Sequence, residues 1–292
     1  MKKLLNISDL KKQDFFDIIT LAKDIDPEND ISLKNKNIGL IFEKNSTRTR
    51  LSFQVGIRQM NGNYLDIKLE ELNLQRVESF EDTFEIFSCY LDALVYRTND
   101  HNKLELALKY FKKPIINALS DLSHPCQAIS DIFTLQEHFQ REDNFSIVWL
   151  GDLNNVLFSL MQTIGFLEKT NLYIFTDEKI YENNKKSLPI NANIFYEFEI
   201  NDKVLKSADC IMTDVYNSMN DEEDKESILN KFQVNQYLLD KTTDKAVFMH
   251  CLPAKIGSEV TLDVLKGSKS ITLNQAKNRL VAQRGIMKWL EL

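Results

Sequence analysis

Five consecutive residues, Ser46-Thr47-Arg48-Thr49-Arg50, bring three hydroxyls and two guanidinium groups into one short stretch. The run follows an apolar segment, residues 38–42, that predicts a buried strand, and it leads into helical spacing over residues 50–60. At a strand-to-helix junction the unpaired amides and the helix dipole attract an anion. Arginine adds a planar, bidentate fork that fits phosphate oxygens. The same pentapeptide would also serve as an ordinary helix cap followed by a charged helical face, so other segments must decide.

His124-Pro125-Cys126-Gln127 puts a proline at a helix start with His just before it and Gln just after. A single His there serves equally well as a cap or a surface residue. Arg97 follows a predicted strand, 93–96, at the carboxyl edge where parallel sheets bind ligands. Three segments of the first half therefore offer phosphate- or carbonyl-directed groups at equivalent strand ends. In the second half, His250-Cys251-Leu252-Pro253 follows a strand at 246–249, and Asp214 follows one at 208–212. A buried Cys beside a proline turn is compatible with simple packing, yet both segments again lie at strand carboxyl ends.

The elements that must hold these residues alternate. Helices are predicted over 8–23, 79–90, 103–111 and 126–139, strands over 93–96 and 114–117, and a turn at Asn61-Gly62-Asn63. After a polar boundary at 140–144 come a strand at 146–150, a helix at 155–167, and strands at 172–175, 194–197, 208–212 and 246–249. The acidic run 220–224 reads as a solvated loop tip and 278–290 as a last helix. The fold class is α/β: two domains, each a parallel β-sheet flanked by helices, over 1–139 and 145–273, with a C-terminal helix, 274–292, packing back on the first.

A chain of 292 residues can bury two such cores, and 43% hydrophobic with 27% charged residues is the composition of a globular protein. The net charge of -7 argues against wrapping nucleic acid, so an anionic ligand must meet a local cationic cluster. Lys2 and Lys3 precede no long apolar core, which predicts neither signal peptide nor membrane span. Cys89, Cys126, Cys210 and Cys251 lack metal or redox spacing and read as free thiols of a cytoplasmic protein.

On these blocks the chain resembles the aspartate/ornithine carbamoyltransferases. The matching segments are Phe42-Glu43-Lys44-Asn45-Ser46-Thr47-Arg48-Thr49-Arg50-Leu51-Ser52-Phe53, Arg97-Thr98, His124-Pro125-Cys126-Gln127, and Leu150-Gly151-Asp152 with Asn154-Asn155. They continue through Thr213-Asp214-Val215-Tyr216-Asn217-Ser218-Met219, His250-Cys251-Leu252-Pro253-Ala254 and Asn278-Arg279, in order over nearly the whole chain.

The resemblance implies that Ser46, Thr47, Arg48 and Thr49 bind the phosphate of carbamoyl phosphate, with Arg97 reaching phosphate and carbonyl oxygen. It implies that His124 donates to that oxygen, that Gln127 and the Leu252 carbonyl hold the carbamoyl NH2, and that Arg279 closes over the ligand. Asn155 and the Met219 backbone would take the α-carboxylate of L-ornithine, and Asp214 with Ser218 its α-amine. Asp214 and Cys251 would orient and deprotonate the attacking amine. The chemistry so implied needs no metal and no organic cofactor. The family also implies a homotrimer with sites at subunit interfaces.

Several positions depart from the family pattern. Asn220 stands where Gly is usual after Ser-Met, Tyr216 where Trp is common, and Lys277 before Asn278-Arg279 where Glu is usual. A neighbouring subunit's Gln would correspond to Asn73, one methylene shorter, with Gln75 and Arg76 close by. Rival readings are a carbamoyltransferase for aspartate, putrescine or N-acetylornithine, and a binding protein without turnover. Aspartate would need a cationic residue where Asp214 stands, and an acylated ornithine offers it no α-ammonium.

Overall fold

The computed structural model describes residues 2–72, 78–217 and 224–292. The chain divides into two units, Met1–Phe133 with Asn278–Leu292, and Thr134–Lys277. In the first, helices α1 (Lys12–Asp24), α2 (Thr47–Gln59), α3 (Phe80–Tyr90), α4 (His101–Tyr110) and α5 (Pro125–Phe139) alternate with strands β1 (Asn37–Phe42), β2 (Asn63–Ile67), β3 (Ala93–Arg97) and β4 (Ile115–Leu119). The strands form one parallel sheet in the order β2-β1-β3-β4. Ile38, Leu40 and Ile41 of β1 are buried, the pattern of a strand covered on both faces. Because β1 connects through α2 to β2 on one side while β3 joins its other side, the strand order reverses between β1 and β3. Ligands of open parallel sheets bind beyond the strand ends at such a reversal. There Phe42 pairs with Arg97, so the hydroxyl- and Arg-rich run and Arg97 leave the sheet side by side.

The second unit follows the same logic. Strands β5 (Ser146–Leu150), β6 (Asn171–Phe175), β7 (Ile194–Glu197), β8 (Cys210–Thr213) and β9 (Val247–His250) are parallel in the order β7-β6-β5-β8-β9. Helices α6 (Asn155–Ile164), α7 (Glu178–Asn184), α8 (Asp202–Leu205), α9 (Glu226–Leu229), α10 (Gln236–Leu239) and α11 (Leu262–Lys266) lie between or beyond them. The order reverses between β5 and β8, where Leu150 pairs with Thr213. Asp214 is the next residue, and His250, paired with Thr213, ends β9.

The last helix, α12 (Thr272–Trp289), packs on the first unit. Arg284 Nη1 donates to Gln59 Oε1 at 2.9 Å, Lys288 bridges to Asp30 at 2.9 Å, and Trp289 Nε1 donates to Asp14 at 3.2 Å. At Gly285 an added Cβ would stand 2.5 Å from the Ile18 carbonyl oxygen, so glycine here permits close approach of α12 to α1.

Several boundaries differ from the sequence reading. Helix α1 starts at Lys12 rather than at residue 8 because the Asp9 carboxylate takes the Leu5 and Asn6 amides at 2.7 and 2.9 Å and closes a separate short turn. Helix α2 begins at Thr47, earlier than the apolar spacing indicated, and α12 begins at Thr272. Strand β2 was not foreseen: most of its residues are exposed, so it carries no inward-outward alternation. The four cysteines are free thiols, and no helix among the described residues is long and apolar enough to cross a membrane.

Candidate active site

In the first unit the cationic cluster gathers where β1 and β3 end. Ser46 occupies the position before α2, but its hydroxyl accepts from none of the helix amides, so the run is not an ordinary side-chain cap. Thr49 is buried and its hydroxyl accepts from Arg279 Nη2. Arg48 is half-buried, its Nε enclosed without a partner among the described residues. Arg50 instead lies over the Phe42 ring at 5.0 Å and braces the strand end. The two strand ends are tied by Glu43, whose amide donates to the Arg97 carbonyl at 3.0 Å. Its carboxylate accepts from Tyr96 Oη and Thr98 Oγ1 at 2.7 Å each and from Lys103.

His124 is buried. Burial, then the charges of Arg279 and Arg97, holds its imidazole well below the ordinary value, so it is neutral at pH 7 and keeps one N–H to donate. The loop before it is fixed by Asn117 of β4, whose amide donates to the Leu5 carbonyl at 2.9 Å and to Ser123 Oγ at 3.0 Å. Gln127, buried one turn into α5, donates through Nε2 to Asp131 at 2.7 Å. A carboxylate accepts only, so this bond fixes the amide's orientation and leaves Oε1 as a buried acceptor without a partner among the described residues. Burial pushes the Cys126 thiol up to about 12, and it donates to the Asn117 carbonyl, a packing role.

In the second unit Asp214 is the centre. Asn154 caps α6, accepting from the Val156 and Leu157 amides at 3.1 Å each, and its Nδ2 donates to Asp214 Oδ2 at 2.9 Å. Cys251 Sγ donates to Asp214 Oδ1 at 3.2 Å. Asn155 is the first residue of α6 and is half-buried. Gly151, at φ 126, has room for no side chain: a Cβ would lie 2.9 Å from the Tyr216 ring. Tyr216 fills that space, and burial first, then Glu259 and Glu226, raises its phenol far above the usual range.

Ligand atoms of Asp214, His250 and Cys251 lie within 4.8 Å of one another, a spacing that could hold a metal ion. Both His250 nitrogens are already committed, however: Nδ1 accepts from the Leu252 amide at 2.8 Å, and Nε2 lies 3.1 Å from Glu259 Oε1.

A profile of the aspartate/ornithine carbamoyltransferase carbamoyl phosphate-binding domain matches residues 2–137, and one of the aspartate/ornithine-binding domain matches 143–290. The chain belongs to the aspartate/ornithine carbamoyltransferase family. An ornithine carbamoyltransferase of Archaeoglobus fulgidus is 38% identical over 299 residues, covering 98% of this chain and 96% of that protein. The crystal structure of ornithine carbamoyltransferase from Burkholderia thailandensis matches with TM-score 0.90 at 28% identity, over 100% of this chain and 99% of that one. Ornithine carbamoyltransferase from Pyrococcus furiosus matches with TM-score 0.86 at 35% identity, over 98% and 96%.

Within this carbamoyltransferase the structure groups Thr49, Arg97, His124 and Arg279 in the first unit, and Asp214 with Cys251 in the second. Ser218, Met219 and Asn220, and likewise Asn73, Gln75 and Arg76, lie outside the described residues. The residues flanking 218–223 are joined: Asn217 Nδ2 donates to Asp224 at 2.7 Å, and Lys225 bridges to Asp152 at 2.9 Å. The sequence reading gave no role to Asn154, Asn117, Asp131 or Glu259. Each acts on another side chain or on backbone, and only Asn154 left a signal, an Asn directly before an apolar helix.

Proposed function

We propose that this chain transfers the carbamoyl group of carbamoyl phosphate to the side-chain amine of L-ornithine, giving L-citrulline and phosphate, as an enzyme of arginine metabolism. The observation that carries ornithine over aspartate is the Asp214 carboxylate, clamped at both oxygens by Asn154 and Cys251. A fixed negative charge suits an ammonium-bearing substrate and repels a second carboxylate.

The phosphate dianion sits at the amino end of α2 among Ser46, Thr47, Arg48 and Thr49, where amides and dipole favour it, with Arg97 and Arg279 completing its charge balance. The amine's lone pair attacks the carbamoyl carbon, and the carbonyl electrons move to oxygen. Thr49, Arg97 and the neutral His124 stabilise that oxyanion. Gln127 Oε1, oriented by Asp131, and the Leu252 carbonyl accept the carbamoyl N–H groups. Collapse breaks the bond from the carbamoyl carbon to the phosphate oxygen, and phosphate leaves as an anion already surrounded by donors, taking up the proton that the amine nitrogen loses. Asn155 and the Met219 amide hold the ornithine carboxylate, and Ser218 and Asp214 its α-amine.

The free side-chain amine is scarce at pH 7 because its pKa lies near ~10, as for lysine. Nearby arginines disfavour the ammonium, and Asp214 with Cys251 orients the neutral form.

The active form is a cytoplasmic homotrimer, with Asn73, Gln75 or Arg76 of one subunit reaching a neighbour's site. Supporting self-association, Leu51, Val55 and Tyr64 expose apolar area together across α2 and the sheet-edge strand β2.

Purified protein is expected to form citrulline from ornithine and carbamoyl phosphate, with putrescine, aspartate and N-acetylornithine at least ~100-fold poorer, because mismatched polar groups in a built site cost that much or more. No product from ornithine refutes the reading, and preference for another amine reassigns the substrate. Arg48→Ala is expected chiefly to raise KM for carbamoyl phosphate and Asp214→Ala chiefly to damage use of ornithine. Equal loss of both substrates in both variants contradicts the division.

A further inference from the structure

The turn after β9 is held by side chains. Leu252 has φ 58, a left-handed conformation unfavourable for a residue with a branched side chain. Its amide donates to His250 Nδ1 at 2.8 Å, so that ring nitrogen carries the lone pair and the proton resides on Nε2. Nε2–H faces Glu259 Oε1 at 3.1 Å, and the same oxygen accepts the Lys255 amide at 2.6 Å. Both side chains of the pair are fully buried, and Glu259 is anchored where its own carbonyl accepts the Val234 amide at 2.9 Å. A carboxylate sealed from water is costly without a task. Here it selects the one imidazole tautomer that can hold Leu252, and it spans the turn from His250 to Lys255.

We propose that Glu259 and His250 are positioning residues for carbamoyl recognition: Glu259 fixes the His250 tautomer, His250 fixes the Leu252 peptide, and the Leu252 carbonyl is thereby aimed at the carbamoyl NH2. The proposal rests on the carbamoyltransferase reading above, in which that carbonyl accepts from the substrate. It makes Glu259 a determinant of which acyl phosphate the enzyme takes, because only a ligand with an N–H donor gains from the aimed carbonyl. Neither residue touches substrate.

Acetyl phosphate, which replaces NH2 by CH3, and inorganic phosphate separate this role from general support of the fold. In Glu259→Leu, KM for carbamoyl phosphate is expected to rise roughly tenfold, the effect of one misplaced hydrogen bond in a closed site. Inhibition constants for acetyl phosphate and inorganic phosphate stay within about twofold. Glu259→Gln, which can still accept from Nε2–H, restores most of the loss. His250→Asn, whose side-chain oxygen can replace Nδ1 toward the Leu252 amide, is expected to outperform His250→Leu, and this pair decides the matter if Glu259→Leu does not fold. Parallel weakening of all three ligands, or unchanged KM for carbamoyl phosphate, overturns the proposal. Failure of the unsubstituted enzyme to form citrulline overturns the parent reading instead.

Discussion

At the scale of single residues, the site is built from pairs in which one side chain aims another. Asn154 does two things with one amide: its oxygen caps α6 and its nitrogen holds Asp214. Asn154→Ser keeps a capping oxygen but is too short to hold Asp214, whereas Asn154→Ala loses both. Both variants should lower kcat/KM for ornithine by roughly tenfold, while only Ala should lose about 1 kcal/mol of stability in urea melts. Equal stability loss in the two would mean that the cap is not what Asn154 supplies. His124 offers a second test. Its folded pKa is depressed by burial and by Arg279 and Arg97, while the unfolded chain titrates near ~6.5. Below about pH 6.5 the unfolded state therefore binds a proton that the folded state refuses, so stability falls with acidification and is flat above that pH for this group. The contribution approaches ~1.4 kcal/mol per pH unit within the window. Melting temperatures between pH 7.5 and pH 5 should fall less steeply for His124→Gln than for the unsubstituted protein, and parallel slopes would absolve His124.

Among the elements, α12 shows how a helix without a marked apolar face can be essential. Replacing an exposed helix-interior glycine with alanine normally stabilises by up to ~1 kcal/mol. At Gly285 the added methyl would meet the Ile18 carbonyl oxygen and Ala22, both on α1. Gly285→Ala is therefore expected to destabilise by about 1–3 kcal/mol in urea denaturation. A gain instead would show that α1 and α12 can separate freely. The same helix marks the limit of sequence legibility. The strand-helix alternation, the strand ends and the residues Ser46, Arg97, His124, Asp214 and Cys251 could be read because buried strands are continuous apolar runs and their ends carry distinctive polar groups. The first turn and a half of α12 could not: Thr272 and Gln275 are polar yet buried, and Leu273 is apolar yet exposed, so periodicity is blurred. Strand β2 failed for the opposite reason, exposure of every residue but Ile67, and α7 to α11 are too short to show a helical repeat. The bonds from Asp131 to Gln127 and from Glu259 to His250 were invisible because nothing in the local sequence says which buried carboxylate meets which partner.

For the whole molecule, the net charge of -7 and the exposed apolar surface make opposite demands. Net charge keeps copies of a chain apart, so association needs a local surface strong enough to overcome it. Leu51 and Tyr64 are 55% and 36% exposed, on α2 and on β2, which is the open edge of its sheet. An unpaired strand edge with apolar side chains is a surface that folded proteins cover, and a second copy of the chain is the cover proposed here. If that surface faced only water, Val55→Glu with Tyr64→Glu would change stability by no more than about 0.5 kcal/mol per site and leave the mass unaltered. If it is covered by another subunit, each new carboxylate must be desolvated without a partner, and assembly fails. Sedimentation should then give about three times the 34.0 kDa chain mass for the unsubstituted protein and the single chain mass for the double variant. Circular dichroism should stay unchanged. Because the proposed site borrows Asn73, Gln75 or Arg76 from a neighbour, citrulline formation should fall with dissociation and recover at protein concentrations that restore the assembly. A double variant that sediments like the unsubstituted protein would place the subunit contact elsewhere, and full activity in a monomer would remove the neighbour from the chemistry.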